Sequence, residues 1–408
     1  MMLPTTDPLF WLYVVLGPGA WIVFSVLMLL GWSRLNRLLV FRPAADEPMP
    51  TSSVIAVIPA RNEAAVIGDA VRSVLEQDLP NLRVVVVDDR STDATGDILD
   101  RLAAENPRLS VLHVRENQIP PGWLGKNYAI AQGVAHALTL PQTQADPNPN
   151  SQQWMWFVDS DVIVRPDALR LCLQLARRRD YQAVSLLTAL TTVQLWEKLF
   201  MPLAAAGWGA MFTISLTNND QVRSVAYANG QFFLIRRDVY HATGGHEMVK
   251  SSVVEDCDLM AIIKRLGHRG RFLLGPHVAA TRMYSTIDAM LRGWGRIYSG
   301  SSNRRAPRIA GGIFFVLFCM LPAWPVLAIA IIAGHGWWIG AASLHLLVMT
   351  VCCGAMIHWS RNSVAWALAL PVSCLGLLVI FVRALAMCFG GQVNWRGSVV
   401  AVKANDAR

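Results

Sequence analysis

Charge is scarce in this chain. Asp, Glu, Lys and Arg make up 16% of its 408 residues, below the roughly 25% of soluble domains. Hydrophobic residues reach 53%, and mean hydropathy is +0.36. That excludes a uniformly soluble protein, but the shortage is local. Residues 10–32 and 309–389 are apolar, whereas residues 50–300 read as a soluble domain. Cysteine is sparse too: there are seven, with no C-x-x-C and no His/Cys cluster. A zinc site or a disulfide framework is thereby excluded. Lys and Arg are missing from Met1–Leu9, which carries Asp7. This argues against a signal peptide and for a retained transmembrane helix. No G-x-G-x-x-G follows the first strand and no G-x-x-x-x-G-K-[ST] occurs, so dinucleotide and P-loop readings lose ground. No internal repeat is evident.

The apolar tail is long enough for about three spans of about 20 residues each: 310–333, 337–357 and 364–388, with Pro322, Pro325 and Pro371 as kinks or re-entrant points. Arg34, Arg37 and Arg42 follow the first span, and Arg304, Arg305 and Arg308 precede the second. Both ends of the middle domain therefore read as cytoplasmic. Three spans would leave the tail outside, yet Arg396, Lys403 and Arg408 favour inside. The net charge of +8 sits largely beside the spans, where it suits an anionic leaflet rather than nucleic acid. The expected division is an N-terminal helix and basic flank (1–45), a cytoplasmic domain (46–300), membrane helices (301–390) and a polar tail (391–408). The expected location is a bacterial inner membrane.

Within the middle domain, Val54–Ile58, Val84–Val87, Ser110–Val114 and Trp154–Val158 are apolar runs without alternation. Residues 63–76 and the stretch around Ile98, Leu99 and Leu102 show helical spacing, with Asn62 and then Ser91 and Thr92 as candidate caps. Interleaved strands and helices of this kind predict a parallel sheet covered on both faces. Ligands of such sheets sit beyond the carboxyl ends of the strands. Pro59–Glu63, Asp88-Asp89 and Asp159–Asp161 all fall there. In an extended chain Asp159 and Asp161 share a face. Two such carboxylates suit Mg²⁺ or Mn²⁺ carrying a diphosphate, although turn aspartates show the same spacing. The Pro- and Asn-rich stretch 139–153 reads as a flexible loop. Residues 195–217 read as an interfacial helix or as buried core.

Ile58-Pro59-Ala60-Arg61-Asn62-Glu63, Val87-Asp88-Asp89-Arg90-Ser91-Thr92-Asp93, Val158-Asp159-Ser160-Asp161 and Glu255-Asp256-Cys257-Asp258-Leu259 resemble, in order and spacing, the signatures of family-2 inverting glycosyltransferases. The single N-terminal span, Gly122-Trp123-Leu124-Gly125-Lys126 and the apolar tail resemble the hopanoid-cluster-associated, HpnB-type members. The resemblance implies a GT-A-type, Rossmann-like mixed α/β sheet domain plus transmembrane helices. It implies transfer of a sugar from a nucleotide sugar, typically a UDP-sugar, to a lipid hydroxyl, with a hopanoid as the acceptor. Other acceptors of the same chemistry are polyprenyl phosphate, a carotenoid or diacylglycerol; a catalytically inactive membrane scaffold is a further alternative. Asp256 matches the general base, with Glu255 beside it. By the same resemblance Asp89 would read the nucleoside together with Pro59, Glu63 and Asp159, with Asp88 supporting the turn. Asp161, assisted by Asp159, matches the position that holds Mg²⁺ or Mn²⁺. Arg292, Trp294 and Arg296 resemble a late basic and aromatic motif that, with Lys126, meets the leaving group or acceptor. The same residues also have plainer readings. Glu255, Asp256 and Asp258 suit the acidic first turn of a helix over 255–266, Arg292 and Arg296 suit a positive-inside flank, and Lys126 suits a surface turn. His246 reads as a structural loop residue.

Overall fold

The computed structural model describes residues 7–39, 49–114, 119–140, 152–211, 216–302, 304–389, 392–395 and 398–401. Arg42, Arg396, Lys403, Arg408, Phe212 and most of the 139–153 loop lie outside the described residues. The chain divides into two compact units. One comprises Arg37–Thr191 and Ile214–Met283, the other Met1–Asn36, Thr192–Thr213 and Tyr284–Arg408.

The first unit is built on a seven-stranded sheet. In chain order its strands are β1 (Ser53–Ala60), β2 (Leu82–Asp89), β3 (Leu109–Val114), β4 (Gln153–Phe157), β6 (Ala183–Leu187), β8 (Phe233–Arg236) and β9 (Gly270–Leu274). The spatial order is β3-β2-β1-β4-β8-β6-β9. The first four are parallel, and β8 runs antiparallel to both β4 and β6. A small sheet joins β5 (Val162–Val164), β10 (Ala279–Thr281) and β7 (Ala189–Leu190). The sheet is thus mixed α/β, as expected.

Both faces are covered, so the strands need no polar side. Val54, Ala56 and Ile58 of β1 pack with helices α1 (Ile67–Leu75), α2 (Thr95–Glu105) and α4 (Ala168–Arg179). Ile55 and Val57 face α3 (Gly125–Thr139) and α5 (Glu255–Arg265). Gly133 is what lets α3 lie this close: a Cβ there would come within 2.7 Å of methyl groups of Val57 and Val87. Gly133→Leu is therefore expected to lower stability by about 1–3 kcal/mol through overpacking, read as a lower melting temperature. A neutral result would show that α3 shifts freely on the sheet.

The expected helix starts are corrected. Asn62 does not cap α1. It sits at φ 54° and its side chain accepts from the Thr92 backbone N–H at 2.8 Å. Ser91 and Thr92 do not cap α2, which begins at Thr95. Ser91 Oγ instead accepts from Asn62 N–H at 3.0 Å, Thr95 Oγ1 from Glu63 N–H at 2.8 Å and Asp93 from Ala64 N–H at 3.1 Å. These polar side chains are spent joining the loops after β1 and β2, so they are not free to start helices. The apolar run Val54–Ile58 continues as strand through Pro59 to Ala60. β1 bonds to β4 only as far as Val57, so the N–H that Pro59 lacks falls where that ladder has ended.

The second unit is mainly helical, with an antiparallel strand pair, Gln392–Trp395 and Ser398–Ala401. Among the described residues, four helices are long and apolar enough to cross a membrane: Pro8–Leu29, Ala306–Ala333, Gly336–His358 and Val364–Phe389. The first contains a π turn at Val15–Gly19 around Pro18, whose ring removes a ladder donor. The second is broken between Cys319 and Ala323. The Cys319 carbonyl accepts from Trp21 Nε1 at 2.5 Å and from His345 Nε2 at 3.0 Å. His345 Nδ1 then accepts from the Tyr13 hydroxyl at 3.0 Å. Residues 195–211 form a helix of this unit with Met201, Leu203 and Ala204 buried.

Candidate active site

The parallel half of the sheet brings the ends of β1, β2 and β4 to one side of the first unit. At the end of β2, Asp88 is committed to the turn that follows: its carboxylate accepts from Ser91 N–H at 3.3 Å and meets His113 Nδ1 at 2.9 Å. Asp89, 5% exposed, is held in a fork by Arg90 at 2.8 and 3.2 Å. Arg90 adopts φ 60°, which folds its guanidinium back onto its neighbour. The fork lies against Gly125 at the start of α3, where a Cβ would come within 2.7 Å of Arg90 Nη2. Arg90 and Gly125 fall within the sequence motifs, but neither is assigned a role there; the pairing of Arg90 with its own neighbour and its closeness to Gly125 emerge only with the fold. Glu63 is half-buried after β1, and Pro59 lies within it.

β4 ends at Phe157, before Asp159 and Asp161, so the face-sharing argument for the two aspartates does not hold. The two aspartates occupy a turn closed by Val162 N–H on the Asp159 carbonyl at 3.3 Å. The alternation of a strand therefore does not govern them. Among the described residues, no group of three His, Cys, Asp or Glu side chains is gathered as a metal cage.

The charged centre lies where α3, the end of β4 and α5 meet. Lys126, expected in a turn, stands in the first turn of α3. Its Nζ is 2.8 Å from Asp159 Oδ1 and 2.8 Å from Glu255 Oε1. Desolvation alone would lower the Lys126 pKa, but Asp159, Glu255 and Asp256 overcome it and hold the ammonium charged. Asp256 Oδ2 accepts from Gly230 N–H and Oδ1 from Cys257 N–H, each at 2.7 Å. Burial, and then the charge of Glu255, push the Asp256 carboxyl up to about 7, against the opposing pull of Lys126 and the two N–H donors. A cavity is lined by Pro59, Lys126, Asp159, Gly230, Glu255 and Asp256, with His246 on its wall. A Cβ on Gly230 would stand 3.1 Å from Lys126 Nζ and 3.6 Å from carboxylate oxygens of Asp159 and Asp256. Glycine is thus what lets the chain approach this cluster.

Five of the residues singled out in the sequence thus share one cavity: Pro59, Lys126, Asp159, Glu255 and Asp256. Arg292, Trp294 and Arg296 belong to the helical unit, on Ile287–Ser301. There Arg292 pairs with Asp288, which also meets Arg383 at 3.6 Å. Trp294 is buried, with its Nε1 3.2 Å from Met201 Sδ. Its indole is spent on the core of that unit.

The arrangement offers an elevated carboxylate held by backbone donors, next to a cation and further carboxylates. The family model of glycosyltransferase like family 2 matches residues 50–300, which include all of this centre. The chain belongs to that family. A 4,4'-diaponeurosporenoate glycosyltransferase of Staphylococcus aureus (strain MRSA252) is 27% identical over 268 residues, 64% of this chain and 65% of that protein. The chain thus spans about 65% of the length of the curated relatives it matches. Among solved structures, a mannosyltransferase (PcManGT) from Pyrobaculum calidifontis, in complex with GDP-Man and Mn²⁺, aligns over 92% of this chain and 99% of its own, at 17% identity and a TM-score of 0.49. S. aureus TarS 1–349 in complex with UDP-GlcNAc aligns over 85% and 95%, at 14% identity and a TM-score of 0.37. Likenesses of this degree carry no argument about substrate.

Proposed function

We propose that this family-2 protein is a membrane-bound inverting glycosyltransferase. It moves one sugar from a nucleotide sugar, a UDP-sugar by the resemblance, to a hydroxyl of an apolar lipid at the cytoplasmic face of a bacterial inner membrane. The observation that carries the reading is Asp256: a carboxylate held in place by two backbone N–H groups, with a pKa brought up to about 7. General bases work best when their pKa lies near the operating pH. In the reaction, the acceptor oxygen attacks the anomeric carbon on the face opposite the diphosphate. Asp256 takes the hydroxyl proton, the bond from the anomeric carbon to the diphosphate oxygen breaks, and the electron pair leaves with the nucleoside diphosphate. Glu255, held by Lys126, keeps the neighbouring carboxylate in place. Asp89 and Glu63 lie at the adjoining strand ends, where the family reads the nucleoside.

Two aspartates, with no third His, Cys, Asp or Glu gathered beside them among the described residues, fit Mg²⁺ or Mn²⁺, ions that are commonly held by one or two carboxylates plus substrate phosphates. Asp159 and Asp161 would hold such an ion, whose charge would offset that of the departing diphosphate.

Four apolar helices in the same chain support a lipid acceptor. The HpnB-type resemblance favours a hopanoid. The S. aureus relative is named for a carotenoid acid, which gives a second acceptor class to test, one whose carboxylate oxygen would attack without giving a proton to Asp256. The test is nucleotide release by the detergent-purified full chain, with Mg²⁺ or Mn²⁺, a panel of nucleotide sugars, and either a hopanoid alcohol or a carotenoid acid. Lipid-dependent release with one donor is expected, and the glycolipid product then names both sugar and acceptor. Release that is independent of any lipid would overturn the lipid acceptor. Absence of release with every pairing would overturn the transferase reading.

A further inference from the structure

His246 enters the cavity wall from a loop shaped by two glycines. Gly244 and Gly245 take φ 77° and 59°, and a Cβ on Gly245 would press on the Tyr240 ring at 2.8 Å. The turn brings the Tyr240 hydroxyl to both ends of His246: it accepts from the His246 backbone N–H at 3.2 Å and lies 2.8 Å from Nδ1. Both side chains are buried, with Tyr240 4% and His246 3% exposed.

Proton counting then settles the tautomer. Among the described residues, the Tyr240 hydroxyl has one available acceptor for its own hydrogen, His246 Nδ1. If Nδ1 carried the proton, that hydroxyl would be buried with no acceptor, a costly arrangement. Nδ1 therefore accepts and Nε2 carries the hydrogen. Burial and the nearby Lys126 charge keep the ring neutral, lowering its pKa to about 3. Phe157 meets the ring edge-on at 4.8 Å and fixes its orientation. Nε2 has no protein partner among the described residues. His246 thus presents one fixed, uncharged N–H to a cavity it lines with Lys126, Asp159, Glu255 and Asp256.

We propose that His246 is a specificity-determining residue, its Nε2–H donating a hydrogen bond to a hydroxyl oxygen of the sugar being transferred. This rests on the glycosyltransferase reading above. The cavity's chemistry selects the ligand class. Its carboxylates accept from hydroxyl hydrogens. A sugar hydroxyl can donate to a carboxylate and accept from Nε2–H at once, and a polyol offers several such groups close together.

The test separates sugar from nucleotide. Affinities of the full chain for UDP and for a panel of UDP-hexoses are measured by calorimetry in detergent with Mg²⁺ or Mn²⁺ present, and their ratio gives the gain due to the sugar. In His246→Phe, which keeps the ring packed on Phe157, that gain is expected to fall about 3- to 10-fold, the worth of one hydrogen bond, with UDP affinity unchanged. His246→Gln, which restores an N–H donor, is expected to recover part of it. Tyr240→Phe, which frees the tautomer, is expected to reduce it in the same direction. Thermal melting confirms that each variant folds. An unchanged gain in His246→Phe, or equal losses for UDP and UDP-sugar, would overturn the proposal. If the wild-type chain bound no nucleotide sugar at all, the transferase reading itself would fall, and the role of His246 with it.

Discussion

Asp256→Asn is expected to cut sugar transfer by about 10²- to 10⁴-fold, the usual contribution of a general base, while nucleotide-sugar binding persists. The substitution keeps shape and removes the proton acceptor. It also has a local cost, because both carboxylate oxygens now accept backbone N–H groups at 2.7 Å and an amide has one acceptor oxygen. A modest drop in melting temperature should accompany the loss and must be measured beside it. The wild-type profile supplies a second signature. Only the deprotonated carboxylate accepts a proton, and its pKa is raised to about 7. kcat/KM should therefore climb as pH rises through about 7 and level off above it. Turnover in the variant above a tenth of wild type, or a wild-type profile flat from pH 5 to 8, would remove Asp256 from the role of base.

The second large effect is expected at Lys126. Its ammonium lies between Asp159 and Glu255, with Lys126 23%, Asp159 28% and Glu255 8% exposed at the side chain. Lys126→Met leaves two carboxylates without their cation in a partly dry cavity. Removing one partner of such a pair costs about 3 kcal/mol or more, so a large fall in thermal stability is expected. The pH profile should move as well. Lys126 pulls the Asp256 pKa down, against burial and Glu255. Its loss lets that pKa rise, so the acid limb of kcat/KM shifts to higher pH. A limb that stays in place or moves to lower pH would show that Lys126 is not coupled to the base. Lys126→Arg keeps the charge but brings a planar fork to a site built for a point charge. It should retain the position of the limb better than the stability.

The sequence exposed the strands of the parallel half because a sheet covered on both faces needs continuous apolar runs, and Val84–Val87 is such a run. The antiparallel half was less legible. Ala183–Leu187 and Phe233–Arg236 are short, and nothing local distinguishes their direction. Helix starts misled because a cap and a cross-loop bond use the same side chains: Asn62, Ser91 and Thr95 join two loops, and that partnership is invisible without the fold. At the site, the carboxylates of residues 159, 255 and 256 were readable as motif residues. Arg90 on Asp89 and Tyr240 on His246 were not, since the first needs a left-handed residue and the second a proton count over contacts made by a pair of glycines.

The interrupted helix of the second unit has a consequence for how the chain is made. The Cys319 carbonyl, released by the break before Ala323, depends on Trp21 from the first apolar helix and on His345 from the third. During synthesis Trp21 precedes Cys319 by 298 residues and His345 follows it by 26. The oxygen therefore emerges with one donor already made and the other still inside the ribosome. Only when the Gly336–Trp359 helix arrives is it fully satisfied, and Tyr13 with it. A chain stopped after Ala333 would carry a half-served carbonyl in an apolar setting, so the later helix completes the earlier one, and assembly is not finished span by span.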